Sequence, residues 1–247
     1  MNEVVKQLME HRSIRKFEDK SLDEDTVKIL VEAAQQASTS SFVQAYSIIG
    51  VTDPEIKQAL RAISTQDYVE HNGHLFVFIA DFKRHHIIAE RAEVSIDDYF
   101  GATESFIVGT VDASLAAQNM AVAAESMGLG ICYIGSLRNN MAEVIELLGL
   151  PDYTYPLFGM VVGYPAQTGS RKARLPFEHV YHENRYETGA EYLQQIAAYD
   201  EEIADYYRER TDGRRSDKWS SQVTDMLSRK TRTDVDGIVK TQGFLQQ

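Results

Sequence analysis

Seven residues near the start of the chain, His11-Arg12-Ser13-Ile14-Arg15-Lys16-Phe17, concentrate chemistry suited to an anion. From His11 to Arg15 they offer an imidazole, two guanidiniums and a hydroxyl beside main-chain N–H groups. Guanidinium forks match phosphate oxygens in geometry and charge, and a hydroxyl supplies one more hydrogen bond. A second basic cluster, Lys172-Ala173-Arg174-Leu175-Pro176, puts Lys172 and Arg174 on the same side of an extended segment by alternation. A basic turn taken alone is usually a solvated surface. Two such clusters in a chain of net charge −12 and pI near 5.0 predict instead that they converge on one anionic ligand.

Other constellations carry less. Gly128-Leu129-Gly130 hints at a dinucleotide loop, but Tyr133 stands where the third glycine belongs. These glycines also end a helix and precede a strand, the reverse of the required order, so they read as a helix C-cap with a turn. His85 and His86, adjacent on a helix, diverge and have no partner at ligand spacing, which predicts no metal site. Ser38-Thr39-Ser40-Ser41 lacks the glycines of a nucleophile elbow and reads as a hydroxyl-lined loop for a polar ligand. Cys132 is the only cysteine, which rules out an intramolecular disulfide, and its apolar surroundings predict a buried strand position.

The elements that must position these groups follow from periodicity. Val4, Val5, Leu8 and Met9 give a short amphipathic first helix. Ser21-Leu22-Asp23-Glu24 has the form of a capping box before a second helix bearing Val27, Leu30, Val31 and Ala34. Apolar runs at 45–51, 75–80, 130–134 and 156–163 predict strands. Residues 103–127 are apolar around most of a helix, which predicts a core or subunit-interface helix ending at Gly128. After Pro176 no strand is expected, only helices at about 189–207 and 219–230 joined by a charged loop. Arg208 to Arg232 holds eight basic against four acidic residues, so this stretch is basic within an acidic chain. Alternating helices and strands predict an α/β or α+β sandwich. The overall acidity argues against nucleic acid or an anionic membrane as partner. The polar N-terminal stretch and the short uncharged run Ala113 to Ala124 predict a cytoplasmic protein.

The ordered set of motifs resembles the nitroreductase family of flavoproteins. It comprises 11–17, Ser38-Thr39-Ser40-Ser41, Gln66-Asp67-Tyr68, Glu125-Ser126-Met127-Gly128-Leu129-Gly130, Tyr133-Ile134-Gly135 and Lys172-Ala173-Arg174-Leu175-Pro176. Order and spacing are similar to the NADPH-preferring branch of flavin reductases and oxygen-insensitive nitroreductases. The resemblance implies an α+β sandwich with a central, mostly antiparallel sheet flanked by helices. Residues 1–176 would form an FMN-binding core, and residues 177–247 a helical extension of the same domain that embraces the partner subunit of a homodimer. It assigns FMN to His11, Arg12, Ser13, Arg15, Ser38, Ser40, Gln66, Tyr68, Tyr133, Ile134, Gly135, Ser136, Lys172 and Arg174. Ser136 stands where such branches often have a second glycine. Arg210, Arg215 and Arg232 would hold NADPH or substrate. No catalytic acid or base is expected, because the flavin carries the hydride, with Arg15 as electrostatic support. The implied activity is ping-pong, two-electron reduction of nitroaromatics, quinones or free flavin by NADPH. The alternatives are a non-enzymatic flavin-binding or storage protein, or another flavin enzyme on the same scaffold.

Overall fold

The structure is a computed structural model and describes residues 1–186 and 188–246. The chain divides into two compact units, Met1–Gly169 with Arg232–Gln247, and Ser170–Thr231. The first boundary falls seven residues before the expected end of the core at 176, and the chain returns to the first unit at Arg232. The return has a packing cause. Helix α10 (Val235–Thr241) leads to Phe244, which is fully buried among Phe82, Phe100 and Phe106. The main-chain N–H of Tyr153 donates to the Gln242 carbonyl at 3.0 Å, tying that segment to the sheet.

The first unit is built on a four-stranded sheet of β1 (Tyr46–Val51), β2 (His74–Asp81), β3 (Gly130–Ile134) and β4 (Thr154–Gly163). Its order is β1-β2-β4-β3, and every neighbouring pair is antiparallel. All eight residues of β2 are buried, which explains a near-continuous apolar run where a half-exposed strand would alternate. Helices α1 (Glu3–Met9), α2 (Glu24–Gln35), α3 (Pro54–Ser64), α4 (Lys83–Arg91), α5 (Asp97–Gly101), α6 (Thr103–Ser126) and α7 (Met141–Leu147) complete the unit with α10. The expected capping box is not formed as the spacing suggests. Asp23, not Ser21, caps α2, its carboxylate accepting from the Thr26 N–H at 2.7 Å. An ionised carboxylate at a helix start also meets the positive end of the dipole, and a hydroxyl does not.

Helix α6 spans the unit and packs on β1, β2 and β3 and on α2. Ala113, Ala116, Ala117, Met120 and Ala124 are buried, and small residues here allow close approach to the sheet. At Gly109 an added Cβ would lie 2.9 Å from the Ala80 side chain. Among the described residues α6 is the one helix long and apolar enough to cross a membrane, but its sheet-facing side is core. The opposite side leaves Ile107, Val111 and Leu115 exposed at four-residue intervals. Gly128 ends α6 at φ 77° and the Leu129 N–H bonds the Ala124 carbonyl, giving the expected cap and turn into β3.

The second unit contains α8 (Tyr192–Arg210) and α9 (Trp219–Ser228). Tyr199, Ile203 and Tyr207 of α8 form a small core with Trp219, Ala173 and Leu175. Asp200 closes the helix pair, accepting from both the N–H and the hydroxyl of Ser220 at 2.8 and 2.5 Å.

Candidate functional site

The His11–Phe17 segment runs as an added edge beside β3. Ser13 pairs in parallel with Ile131, the Ile14 N–H donates to the Ile131 carbonyl at 2.8 Å, and Phe17 pairs with Pro165. Ile14 is the buried residue of the run and rests on Gly130, where an added Cβ would lie 2.6 Å from the Ile14 side chain. With Ile14 anchored inward, alternation presents Ser13 and Arg15 together on the other side. Ser13, Arg15 and Tyr68 all interact with the Cys132 thiol, and Arg15 also lies against the Tyr68 hydroxyl. Burial pushes the Tyr68 phenol and the Cys132 thiol up from their ordinary values, and the Arg15 charge opposes both shifts. Cys132 is thus a buried, neutral thiol under a cationic rim.

His11 and Arg12 occupy the neighbouring rim. His11 Nδ1 lies 2.6 Å from Glu125 Oε1, so only Nε2 remains for a ligand. That pairing fixes the ring orientation, and its carboxylate sits in the Glu125–Gly130 motif at the end of α6. Arg12 is exposed, with its stem 3.6–3.7 Å from the position a Cβ would take at Gly169. Among the described residues neither Arg12 nor Arg15 has a carboxylate at ion-pair distance. A cavity of about 660 Å³ opens beside this rim, lined in part by Gln7, Arg12, Ile14, Glu125 and Thr168.

The hydroxyl loop is held from beneath. Ser38 is exposed and Ser40 begins a 3₁₀ turn, Ser40–Phe42. The fully buried Asp112 carboxylate accepts from the Ser40 N–H at 2.8 Å and the Ala45 N–H at 3.0 Å. Between these two tethers Ser41, Phe42 and Gln44 adopt φ of 48°, 59° and 54°, a left-handed backbone that ordinary residues rarely take. The loop is therefore a fixed, strained arch.

After β3 the chain turns through a second 3₁₀ segment, Gly135–Asn139. Tyr133 keeps an exposed ring edge and packs edge-on against Phe158 at 5.7 Å, and burial raises its phenol to about 12. Ile134 does not present its side chain to a ligand. That side chain is in the core beside Gly159, so only its main chain is available. An added Cβ at Gly135 would lie 3.1 Å from Arg138 Nη2, a tight approach to a guanidinium that donates to the Leu157 carbonyl at 2.7 Å. Gln66 precedes the 3₁₀ turn Asp67–Val69 and is half-buried, as is Ser136. Arg232 takes φ 54° and donates from Nε and Nη2 to Asn139 Oδ1 at 3.4 and 3.3 Å. It crowds Arg138, whose guanidinium value is lowered by burial first and then by the Arg232 charge.

The remaining cations lie in the second unit. Lys172 donates to the Tyr207 hydroxyl at 3.1 Å, and Arg174 bends back to the Lys172 carbonyl at 2.7 Å. Arg215 lies over the Tyr207 ring at 4.7 Å and donates to Asp217 at 2.7 Å, while Arg210 donates to the Tyr206 hydroxyl at 3.2 Å. The structure thus gathers His11, Arg12, Ser13, Arg15, Tyr68 and the Tyr133–Ser136 segment in one unit, and Lys172, Arg174, Arg210 and Arg215 in the other. Sequence reasoning missed Asp112, the pairing role of Glu125, Arg138 and the Tyr206–Tyr207 pair. A charged residue inside an otherwise apolar helix was the available signal for Asp112; the others had none.

Comparison with known proteins agrees with the motif order. The nitroreductase family model matches residues 8–164, and the model of its C-terminal domain matches 172–247. An NADPH-dependent oxidoreductase of Staphylococcus epidermidis (strain ATCC 35984) is 50% identical over 251 residues, covering all of both chains. The solved structure of B. megaterium NfrA1 superposes with a TM-score of 0.97 at 52% identity, over 99% of this chain and 100% of that one. The NADPH:FMN oxidoreductase from Vibrio harveyi complexed with NAD+ superposes at 0.91 with 36% identity over the full length of both. With the family models matched across both units and half the residues shared with a full-length relative, this chain belongs to the nitroreductase family, on the side occupied by its NADPH-dependent oxidoreductases.

Proposed function

We propose that the chain is an FMN-dependent oxidoreductase that uses NADPH to reduce small acceptors by two electrons. The observation that carries this reading is the rim formed by His11, Arg12, Ser13 and Arg15 with Tyr68 along the edge of β3. Its chemistry fits FMN: two guanidiniums without ion-pair partners among the described residues and an imidazole fixed by Glu125 suit a phosphate dianion. Ser38, Ser40 and Gln66 suit the polar ribityl chain and ring edge, and the Tyr133–Ser136 main chain suits a flat ring. The family resemblance assigns Lys172 and Arg174 to the same phosphate.

When bound, FMN accepts hydride from NADPH and passes two electrons to an acceptor. The chain's residues bind and orient. Arg12 and His11 fix the phosphate end, Arg15 holds a positive charge where reduction creates a negative one, and Asp112 keeps the serine arch in place. Overall, NADPH becomes NADP+, and the acceptor gains two electrons and two protons, one of them from solvent. Nicotinamide and acceptor use one site in turn, which predicts parallel double-reciprocal plots. Nitroaromatics, quinones and free flavin are the acceptor classes. The reading includes a homodimer, with the second unit reaching the partner, supported by the exposed apolar residues of α1 and α6. It also includes a cytoplasmic location, where NADPH is supplied.

An absorbance spectrum followed by anaerobic titration tests the reading. A flavin spectrum that bleaches with one equivalent of NADPH and recovers with nitrofurazone, a quinone or FMN is expected. Protein that stays colourless when mixed with FMN would sink it. Arg210→Ala and Arg215→Ala should raise KM for NADPH by about tenfold or more, with KM for NADH nearly unchanged, as for loss of a charge-assisted bond to the 2′-phosphate.

A further inference from the structure

The second unit holds a pair of aromatic residues whose placement the sequence did not foretell. Tyr206 and Tyr207 lie in the last turns of α8, with ring centroids 5.4 Å apart and planes crossed at 72°. Each contacts one of the two arginines assigned to NADPH, Tyr207 through its ring face and Tyr206 through its hydroxyl end. Arg215 Cζ lies 4.7 Å from the Tyr207 centroid, and Arg210 Cζ lies 6.0 Å from that of Tyr206. Arg210 also donates to the Tyr206 hydroxyl at 3.2 Å, which accepts in addition from Ser170 at 3.1 Å.

Arg208 is paired with Asp205, and Arg214 donates to the Thr211 carbonyl at 2.9 Å. Arg215 donates from Nε to the Asp217 carboxylate at 2.7 Å, which leaves its two terminal nitrogens for an anion. Tyr207 is only 8% exposed, so its ring is a fixed platform. Its hydroxyl accepts from Lys172 at 3.1 Å and donates to Gln222 at 3.4 Å. Burial pushes this phenol up, but the Lys172 hydrogen bond and charge, Gln222 and Arg215 outweigh it, and the net shift is downward. The loop that carries Arg215 is itself folded back on the helix. Asp212 and Gly213 take φ of 50° and 78°, and the Thr211 hydroxyl accepts from the Arg215 N–H at 2.9 Å.

An exposed arginine loses much side-chain freedom when it grips a phosphate. An aromatic face that holds the guanidinium beforehand removes part of that cost and leaves the fork edge free for the anion. We propose that Tyr206 and Tyr207 are the specificity-determining positioning residues of the NADPH clamp: each holds one arginine in place, Tyr206 for Arg210 and Tyr207 for Arg215. This rests on the reading that these arginines meet the 2′-phosphate. The Tyr207 hydroxyl serves a separate task, holding Lys172.

Steady-state kinetics with NADPH and NADH on the flavin-loaded enzyme test this, NADH turnover serving as each variant's internal reference. Tyr207→Leu and Tyr206→Leu should each lower the NADPH-to-NADH ratio of kcat/KM by about threefold to tenfold, through KM for NADPH at retained kcat. Tyr207→Phe keeps the ring and should hold the ratio within about twofold of the parent. Equal losses with both nucleotides in the leucine variants, or a phenylalanine variant as impaired as the leucine one, would overturn the proposal. Arg215→Ala separates the two levels of argument. If it leaves the ratio unchanged, the clamp reading itself fails; if it lowers the ratio while Tyr207→Leu does not, only the role of the tyrosine fails.

Discussion

Asp112 shows how one buried charge can set a binding surface it does not face. Its two carboxylate oxygens take the N–H groups of Ser40 and Ala45, and three residues between them are left-handed without being glycine. Removing one acceptor leaves a buried N–H unsatisfied at a cost of about 1–3 kcal/mol and lets the arch relax. Asp112→Asn should therefore lower Tm by several degrees, as thermal melting will show. It should weaken FMN binding by about tenfold, measured by fluorescence on flavin release. An unchanged flavin affinity would mean that the arch does not meet the cofactor. Glu125 plays the matching part for His11 at the other side of the rim. Neither partnership could be read from spacing, since Asp112 and Glu125 are 67 to 114 residues from the groups they hold.

At the scale of elements, the strand positions, the long helix α6 and the Gly128 cap follow from periodicity and turn chemistry. Helices α4, α5, α7 and α10 are short, and tertiary packing stabilises them more than any sequence pattern announces them. Helix α3 does carry a signature, with Asp53 capping its first N–H groups and Pro54 at its first position. Strand β2 carries a consequence of its complete burial. His74 at its start is 8% exposed, its Nε2 has no hydrogen-bond partner among the described residues, and it lies 2.7 Å from where a Cβ on Gly50 would be. Burial, with a smaller contribution from the charge of Lys57, pushes the imidazole down to about 4 from 6.5. The unfolded chain thus binds the proton first as pH falls. His74 costs the fold nothing above about pH 6.5, destabilises it progressively below that, and its effect levels off near pH 4. Urea midpoints measured from pH 7 to 4.5 should fall, and His74→Gln should flatten that slope. A parallel slope in the variant would show that other groups carry the acid sensitivity.

For the whole molecule, the apolar residues left outside are the informative ones. Val4, Val5, Leu8 and Met9 of α1 and Ile107, Val111 and Leu115 of α6 all lie 38–56% exposed. A helix hydrophobic on both sides is explained when its second side meets another chain. Leu115→Glu places a charge in that stripe; on the homodimer reading proposed above it should convert a dimer to monomer in sedimentation velocity, with loss of FMN. A dimer that persists, with flavin retained, would place the interface elsewhere. The apolar character of α6 around its circumference was legible in the sequence. Which side meets the sheet became visible only in the fold.

The sequence by itself determined the family, the strand positions and the set of cationic and hydroxyl groups, because periodicity, turn residues and ordered motifs are local or colinear signals. It did not determine that Ile134 turns inward, that Asp23 caps α2 in place of Ser21, or that the chain returns at Arg232 to bury Phe244. Nor did it show Arg210 against the Tyr206 hydroxyl and Arg215 over the Tyr207 ring. Those outcomes depend on which groups meet after the chain has folded. Desolvation, close packing and the need to satisfy buried N–H groups act between residues far apart in sequence, and only the tertiary structure brings them together.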